Sequence, residues 1–153
     1  MSIPFPLPDE AILARRDEIL SGLAPLLPPE ALITSEDERR AFETDAFTAY
    51  RHIPLAVALP TSTEEVSAVL RYCHEQGVKV VARGAGTSLS GGAIPQPDAI
   101  VLGLSKLNRI LDVNFPNRTA RVQAGVTNLS ITESVSAEGF FYAPDPSSQL
   151  ACT

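Results

Sequence analysis

Apolar residues recur at helical spacing between Ser62 and Gly77, where Val66, Val69, Leu70 and Cys73 fall on one face. Ser62 with Glu65 three residues on forms a capping box, and Gly77 supplies the positive-φ residue that closes the last turn. On either side the period changes. Leu55–Ala58, bounded by Pro54 and Pro60, and Val78–Ala82 are short continuous apolar runs, the pattern of buried strands. Strand, helix and strand predict a βαβ unit whose two strands run parallel. Ala99–Leu102 is a third buried strand. Leu107–Val113 and Thr119–Gln123 alternate apolar and polar residues, and Asn114-Phe115-Pro116-Asn117 between them is turn chemistry, so they pair as a hairpin. Thr127 caps a last helix through Glu138, and Gly139 ends it.

Upstream, prolines at positions 4, 6 and 8 make an extended lead-in. Asp9 caps a helix over Glu10–Leu20, with Ile12, Leu13, Ile19, Leu20 and Leu23 near one face; Gly22 and Pro25 end it. A second helix starts at Thr34 or Ser35 and runs through Phe42, its charged run Ser35–Arg40 forming a solvated face. Asp45–His52 reads as loop.

Composition narrows the function classes. The 153 residues are 44% hydrophobic and 20% charged, a globular balance with enough chain for a real core. The net charge of −6 and the lack of a basic run argue against nucleic acid, whose binding rests on phosphate neutralisation. Cys73 and Cys152 are far apart and form no ligand cluster with His52 or His74, so no metal site is expected and the two thiols read as reduced and structural. No run is long enough to span a membrane and the N-terminus has no signal-peptide pattern, so a cytoplasmic location is expected. His74 is expected to be exposed. His52 is either structural or an approach to a ligand edge.

The chemistry sits after the second strand. In Val80-Val81-Ala82-Arg83-Gly84-Ala85-Gly86-Thr87-Ser88-Leu89-Ser90-Gly91-Gly92 an apolar run stops at an arginine and gives way to four glycines in nine residues. Glycine reaches positive φ and has no Cβ to obstruct close approach, so successive N–H groups can converge on an anion, at the strand end where open sheets bind ligands. Two familiar loops are excluded. A dinucleotide GxGxxG needs glycine at Leu89 and a helix opening at once, which Pro95 and Pro97 do not favour; a P-loop needs lysine where Gly92 stands. Arg83 suits either a phosphate partner or a structural cap of the loop.

Arg83-Gly84-Ala85-Gly86-Thr87-Ser88-Leu89-Ser90-Gly91-Gly92-Ala93 resembles the pyrophosphate loop of the PCMH-type (vanillyl-alcohol-oxidase-type) FAD-binding domain. Three further segments agree in order. Pro54-Leu55-Ala56-Val57 leading to Pro60-Thr61-Ser62-Thr63-Glu64-Glu65-Val66 resembles the family's first strand and helix. Ala120-Arg121-Val122-Gln123-Ala124-Gly125-Val126 resembles its hairpin strand and following turn. Tyr142 to Thr153 resembles its second flavin-contacting segment. The likeness covers roughly residues 35–153 and is strongest to the branch containing glycolate oxidase FAD subunits and FAD-linked D-lactate dehydrogenases.

The resemblance implies an α+β fold: the first subdomain of the PCMH-type domain, with a small mixed sheet, a βαβ unit and flanking helices. Residues 1–48 would form a helical extension and 49–153 the N-terminal part of the FAD-binding domain. It implies FAD as cofactor. Arg83, Gly84, Ala85, Gly86, Thr87 and Ser88 would wrap the pyrophosphate, with Gly91 and Gly92 permitting close approach. Pro144, Asp145 and Ser148 would lie along the ribityl and isoalloxazine side, and Thr153 would begin a second glycine loop. Cys152 beside them is a small filler rather than a redox thiol. Members with covalent flavin on the first loop carry histidine where this chain has Thr87, so the FAD is expected to be non-covalent.

The implied activity is oxidation of a 2-hydroxy acid, glycolate or D-lactate, to the 2-oxo acid by hydride transfer to flavin, with substrate held by a cap domain absent from these residues. The implied partners are a companion flavin-fold subunit and an iron–sulfur subunit, with peripheral association to the inner membrane through that complex. The family's chains continue past this point, so these residues are expected to be an N-terminal fragment that binds FAD weakly and catalyses nothing alone. The alternative reading is a non-catalytic nucleotide-binding or assembly subunit of a flavoenzyme complex. A cell-wall reductase of the same fold would add an NADPH and nucleotide-sugar pocket, for which no residue speaks.

Overall fold

A computed structural model describes residues 6–144 and 146–153. Helices α1 (Glu10–Ala14) and α2 (Arg16–Leu23) are followed by strand β1 (Leu32–Ile33), helix α3 (Glu36–Arg39), strand β2 (Ala56–Ala58) and helix α4 (Thr63–Gln76). Strands β3 (Lys79–Arg83), β4 (Ala99–Gly103), β5 (Ile110–Asn114) and β6 (Thr119–Val122) then precede helix α5 (Asn128–Val135).

The βαβ unit is present, and its two strands are not neighbours. The four-stranded sheet has the order β1-β2-β4-β3, with β4 parallel to both β2 and β3. All five residues of β4 are buried, as a central strand with both faces covered requires. The two-residue β1 pairs antiparallel with β2 and has no counterpart among the elements predicted from sequence. Strands β5 and β6 form the expected hairpin as a separate sheet. Its turn is fixed by the Asn114 side chain, which accepts from the Asn117 N–H at 2.9 Å.

Helix α4 carries both predicted caps. The Ser62 hydroxyl accepts from Glu65 N at 3.2 Å, the Glu65 carboxylate accepts from Thr61 N, and Gly77 closes the helix at φ 69°. Val69 and Cys73 are fully buried and Val66 packs against the core, whereas Leu70 is 44% exposed on the helix flank.

The first helix differs from the single run read over Glu10–Leu20. It breaks at Arg15, whose backbone leaves the helical region while its guanidinium pairs with Glu18 and with Gln76 on α4. It then continues through Gly22 to Leu23. A side chain at Gly22 would strike the Tyr72 ring, so this glycine is where α2 and α4 pack closely rather than a helix stop. Arg39, in the charged run, is half-buried and donates to Pro54 O. One apolar cluster joins Ile12, Ile19 and Leu23 of the first helices to Leu55, Val69, Cys73 and Ile100, so the N-terminal segment closes one face of the four-stranded sheet.

Candidate functional site

The glycine loop leaves the C-terminal end of β3, and β4 beside it fixes where it starts: Leu104 N donates to Arg83 O at 2.9 Å. The loop is held from its other side by residues 42–47. The Arg83 guanidinium donates to Thr44 O at 2.7 Å and lies over the Phe42 ring, 5.7 Å from its centroid. Ala46 N donates to Gly86 O at 3.1 Å, and Phe47 N to Ser88 O at 3.2 Å. Asp45, 4% exposed, accepts from Phe47 N at 2.9 Å and from Ala93 N at 3.2 Å.

Two loop carbonyls therefore turn inward, towards residues 46 and 47. The backbone N–H groups of Ala85, Gly86, Thr87 and Ser88 find no acceptor among the described residues. Gly86 and Gly91 stand at φ 74° and 77°, the left-handed region that glycine enters freely. The Ser88 hydroxyl is used within the loop, accepting from Ser90 N and Gly92 N at 3.3 and 3.2 Å. A row of donors without acceptors on backbone fixed from behind has the form of an anion nest.

Arg83 braces this nest. Burial pushes its pKa down, and the neighbouring Asp45 carboxylate acts in the opposite sense. Its guanidinium donates to Thr44 O and to Ala93 O and lies against Gly86, so it holds the loop at both ends.

The tail approaches the loop at one end only. A Cβ on Gly84 would collide with the Thr153 hydroxyl, so the absent side chain lets residue 153 stand against the loop. Ala85 and Thr153 line one cavity of about 350 Å³ with Ser105, Asn108, Thr127 and Ser130. The tail is docked on the start of α5: Asn128 N donates to Cys152 O at 3.0 Å and Leu129 N to Gln149 O at 3.2 Å. Ser148 makes the turn before it, its carbonyl accepting from Ala151 N and Cys152 N. Pro144 is exposed, and no hydrogen bond joins Pro144 or Ser148 to the glycine loop among the described residues. Asp145 lies outside the described residues. His74 is exposed; His52 is half-buried, with its N–H donating to Glu43 O at 2.8 Å. Cys73 and Cys152 are both free thiols, the first buried and the second half-buried.

Sequence reasoning missed Asp45, because its neighbours carry no signal of the Ala93 N–H it holds 48 residues away. It also missed the polar cavity wall of Ser105, Asn108 and Ser130.

A family model described as an FAD binding domain matches residues 54–153, about two thirds of the chain. The chain belongs to this FAD-binding family. The residues present fit the cofactor: a preformed donor row suits a pyrophosphate, and a Cβ at Gly84 or Gly86 would occupy the cradle or displace its Arg83 support. The FAD-binding chain is 44% identical over 138 residues to glycolate oxidase subunit GlcD of Escherichia coli, covering 90% of this chain and 28% of that protein. It is 40% identical over 125 residues to the Bacillus subtilis protein of the same name, covering 82% and 27%. To D-lactate dehydrogenase of Archaeoglobus fulgidus it is 35% identical over 133 residues, covering 86% and 28%. The chain thus spans less than a third of the length of the relatives it matches.

Among solved structures, alkyldihydroxyacetonephosphate synthase superposes with a TM-score of 0.81 at 20% identity, over 99% of this chain and 29% of that one. p-Cresol methylhydroxylase superposes at 0.71, also with 20% identity, over 87% and 27%. These two likenesses establish the PCMH-type α+β fold. No helix among the described residues is long and apolar enough to cross a membrane.

Proposed function

We propose that this FAD-binding chain belongs to a flavin-dependent dehydrogenase of 2-hydroxy acids, with glycolate or D-lactate as substrate class. The observation that carries the reading is the meeting of Ala85 and Thr153 at one cavity beside a row of unpaired loop N–H groups. The similar proteins named glycolate oxidase subunit and D-lactate dehydrogenase supply the substrate class. When bound, the flavin accepts the two electrons released as a 2-hydroxy acid becomes a 2-oxo acid.

The protein's own contribution is positional. Residues 84–88 bind the pyrophosphate through backbone N–H groups, Gly91 and Gly92 keep the loop thin, and Thr153, Ser148, Pro144 and Asp145 border the rest of the cofactor. Thr87 offers no nucleophilic imidazole, so the flavin is held without a covalent bond. Residues 1–48 act as an extension that backs the sheet, and residues 49–153 as the FAD-binding part. Substrate selection falls to residues beyond these 153, as do contacts with a companion flavin-fold subunit and an iron–sulfur subunit. The assembly works in the cytoplasm and reaches the inner membrane through those companions.

The test uses the full-length protein. Acid precipitation should release FAD into the supernatant, and a screen of glycolate, D-lactate and D-2-hydroxyglutarate with an artificial electron acceptor should find a substrate. Flavin retained in the precipitate would refute the non-covalent assignment. Gly86→Val should abolish flavin binding, since it places a branched residue at positive φ against the Arg83 guanidinium.

A further inference from the structure

The segment 42–47 between β1 and β2 has no part in cofactor binding in the reading above, yet the hydrogen bonds that hold the glycine loop from outside its own strand come to or from it among the described residues. Asp45 is the centre of that contact. It is one of two buried acidic residues among those described, at 4% exposure, and its two oxygens are divided between separate pieces of chain. Oδ1 accepts from Phe47 N at 2.9 Å, which shapes the segment itself. Oδ2 accepts from Ala93 N at 3.2 Å, which fixes the far end of the glycine loop. The near end is fixed by Arg83 donating to Thr44 O at 2.7 Å. Between them Ala46 N and Phe47 N hold the carbonyls of Gly86 and Ser88.

Turning those two carbonyls inward matters for the anion. A carbonyl aimed at the pyrophosphate would repel it, and in a glycine-rich loop the peptide planes rotate at little steric cost. We propose that Asp45 is a positioning residue for FAD: by tying Phe47 N and Ala93 N together it clamps the loop with its carbonyls turned away and its N–H groups free before the cofactor arrives. A loop ordered in advance loses less conformational entropy on binding. The inference rests on the FAD-binding reading for its consequence, and on the loop's own hydrogen bonds for the clamp.

Asp45→Asn tests it in the full-length protein. The amide keeps one oxygen and replaces the other acceptor with a donor, so one of the two tethers is lost with little change in shape. In the flavin-free protein the Ala46 amide, bonded to Gly86 O rather than to Asp45, should exchange hydrogen at least ten-fold faster, while amides of Ile100–Leu102 keep their wild-type rates. FAD affinity by fluorescence titration should fall at least ten-fold. Asp98→Asn, at the other buried acid, should lower the melting temperature and leave FAD affinity within about two-fold of wild type. Unchanged Ala46 exchange in Asp45→Asn would overturn the clamp. Loss of protection across Ile100–Leu102 as well would also overturn it, by assigning Asp45 to the stability of the whole domain. Faster Ala46 exchange with unaltered FAD affinity would overturn the link to the cofactor. A wild-type protein that binds no FAD defeats the FAD reading while the exchange comparison still judges the clamp.

Discussion

The Thr153 hydroxyl occupies the space where Gly84 would carry a side chain. That contact, across 69 residues of sequence, is where the tail meets the glycine loop. Thr153 is a small side chain that can rotate, so Gly84→Ala is accommodated by a change of rotamer. Gly84→Val adds two methyl groups beyond a Cβ that already stands 3.7 Å from Thr153 Cβ, so the tail is expected to move off the loop. We expect FAD affinity of the full-length protein to drop about ten-fold or more in Gly84→Val, roughly 1.4 kcal/mol, with a much smaller change in Gly84→Ala. Fluorescence titration measures both; equal affinities for Val and wild type would show that the tail contact does not shape the site.

Gly125 is the opposite case, because what it touches is backbone. A Cβ there would run into the Leu104 carbonyl and stand 3.0 Å from Leu107 O. Gly125 N already donates to Leu107 O at 2.8 Å, so the two segments are pinned together. Gly125→Ala should destabilise the protein by about 2 kcal/mol and lower the melting midpoint by roughly 4–8 °C. Thermal denaturation decides it, and a midpoint within 1 °C of wild type, roughly the scatter of such measurements, contradicts it.

Much of this architecture is written in local pattern. Helix α4 announces both its ends through Ser62, Glu65 and Gly77, and the all-buried β4 follows from an unbroken apolar run. Strand order is not written that way. Nothing in the period of Ala99–Leu102 says that it inserts between β2 and β3, because pairing is decided by which strand buries both faces best. Leu70 shares the helical spacing of Val66 and Cys73, but it sits at the edge of the stripe, where the sheet no longer covers it. The glycine loop at the end of β3 was legible because its four glycines in nine residues are a local signal. The clamp at Asp45 was not, since a carboxylate's partners 48 positions away leave no trace in its neighbours.

Lys79 and Asp98 offer a pH-dependent prediction. Lys79 Nζ lies 2.8 Å from the carboxylate of Asp98, which is 1% exposed and also accepts from Asp9 N at 2.8 Å. Burial pushes the Asp98 carboxyl up, and the hydrogen bonds from Lys79 and Asp9 N outweigh it, so the carboxyl titrates below its ordinary value. A folded-state pKa below the unfolded one adds stability that is present above the unfolded value and is lost as pH falls through the folded one. Lys79→Met leaves the buried carboxylate with one partner fewer. Stability at neutral pH should fall by about 2 kcal/mol, and the further loss on acidification should be smaller than in wild type, because without Lys79 the folded-state carboxyl titrates closer to its unfolded value. Urea denaturation at a series of pH values between about 7 and 3 shows both effects; parallel wild-type and Lys79→Met curves would remove the ion pair from the account.

Cys73 carries the alkaline counterpart. Its thiol is fully buried on the inner face of α4, and burial raises its pKa from 9.0 to about 11. The thiolate is the reactive form, so Cys73 in the folded protein should be inert to a disulfide reagent at pH 8. Cys152, half-buried in the tail, should react first, giving one thiol per chain natively and two after denaturation. The same shift works against stability at high pH. Above about 9 the unfolded chain releases the Cys73 proton while the folded chain keeps it, so unfolding is favoured progressively until the folded thiol ionises near 11. Cys73→Ala removes this dependence together with some packing, so it should be less stable at neutral pH and lose less of its stability between about pH 9 and 11. Two fast-reacting thiols in the native protein, or identical alkaline slopes for wild type and Cys73→Ala, would show that the α4 core admits solvent at this position.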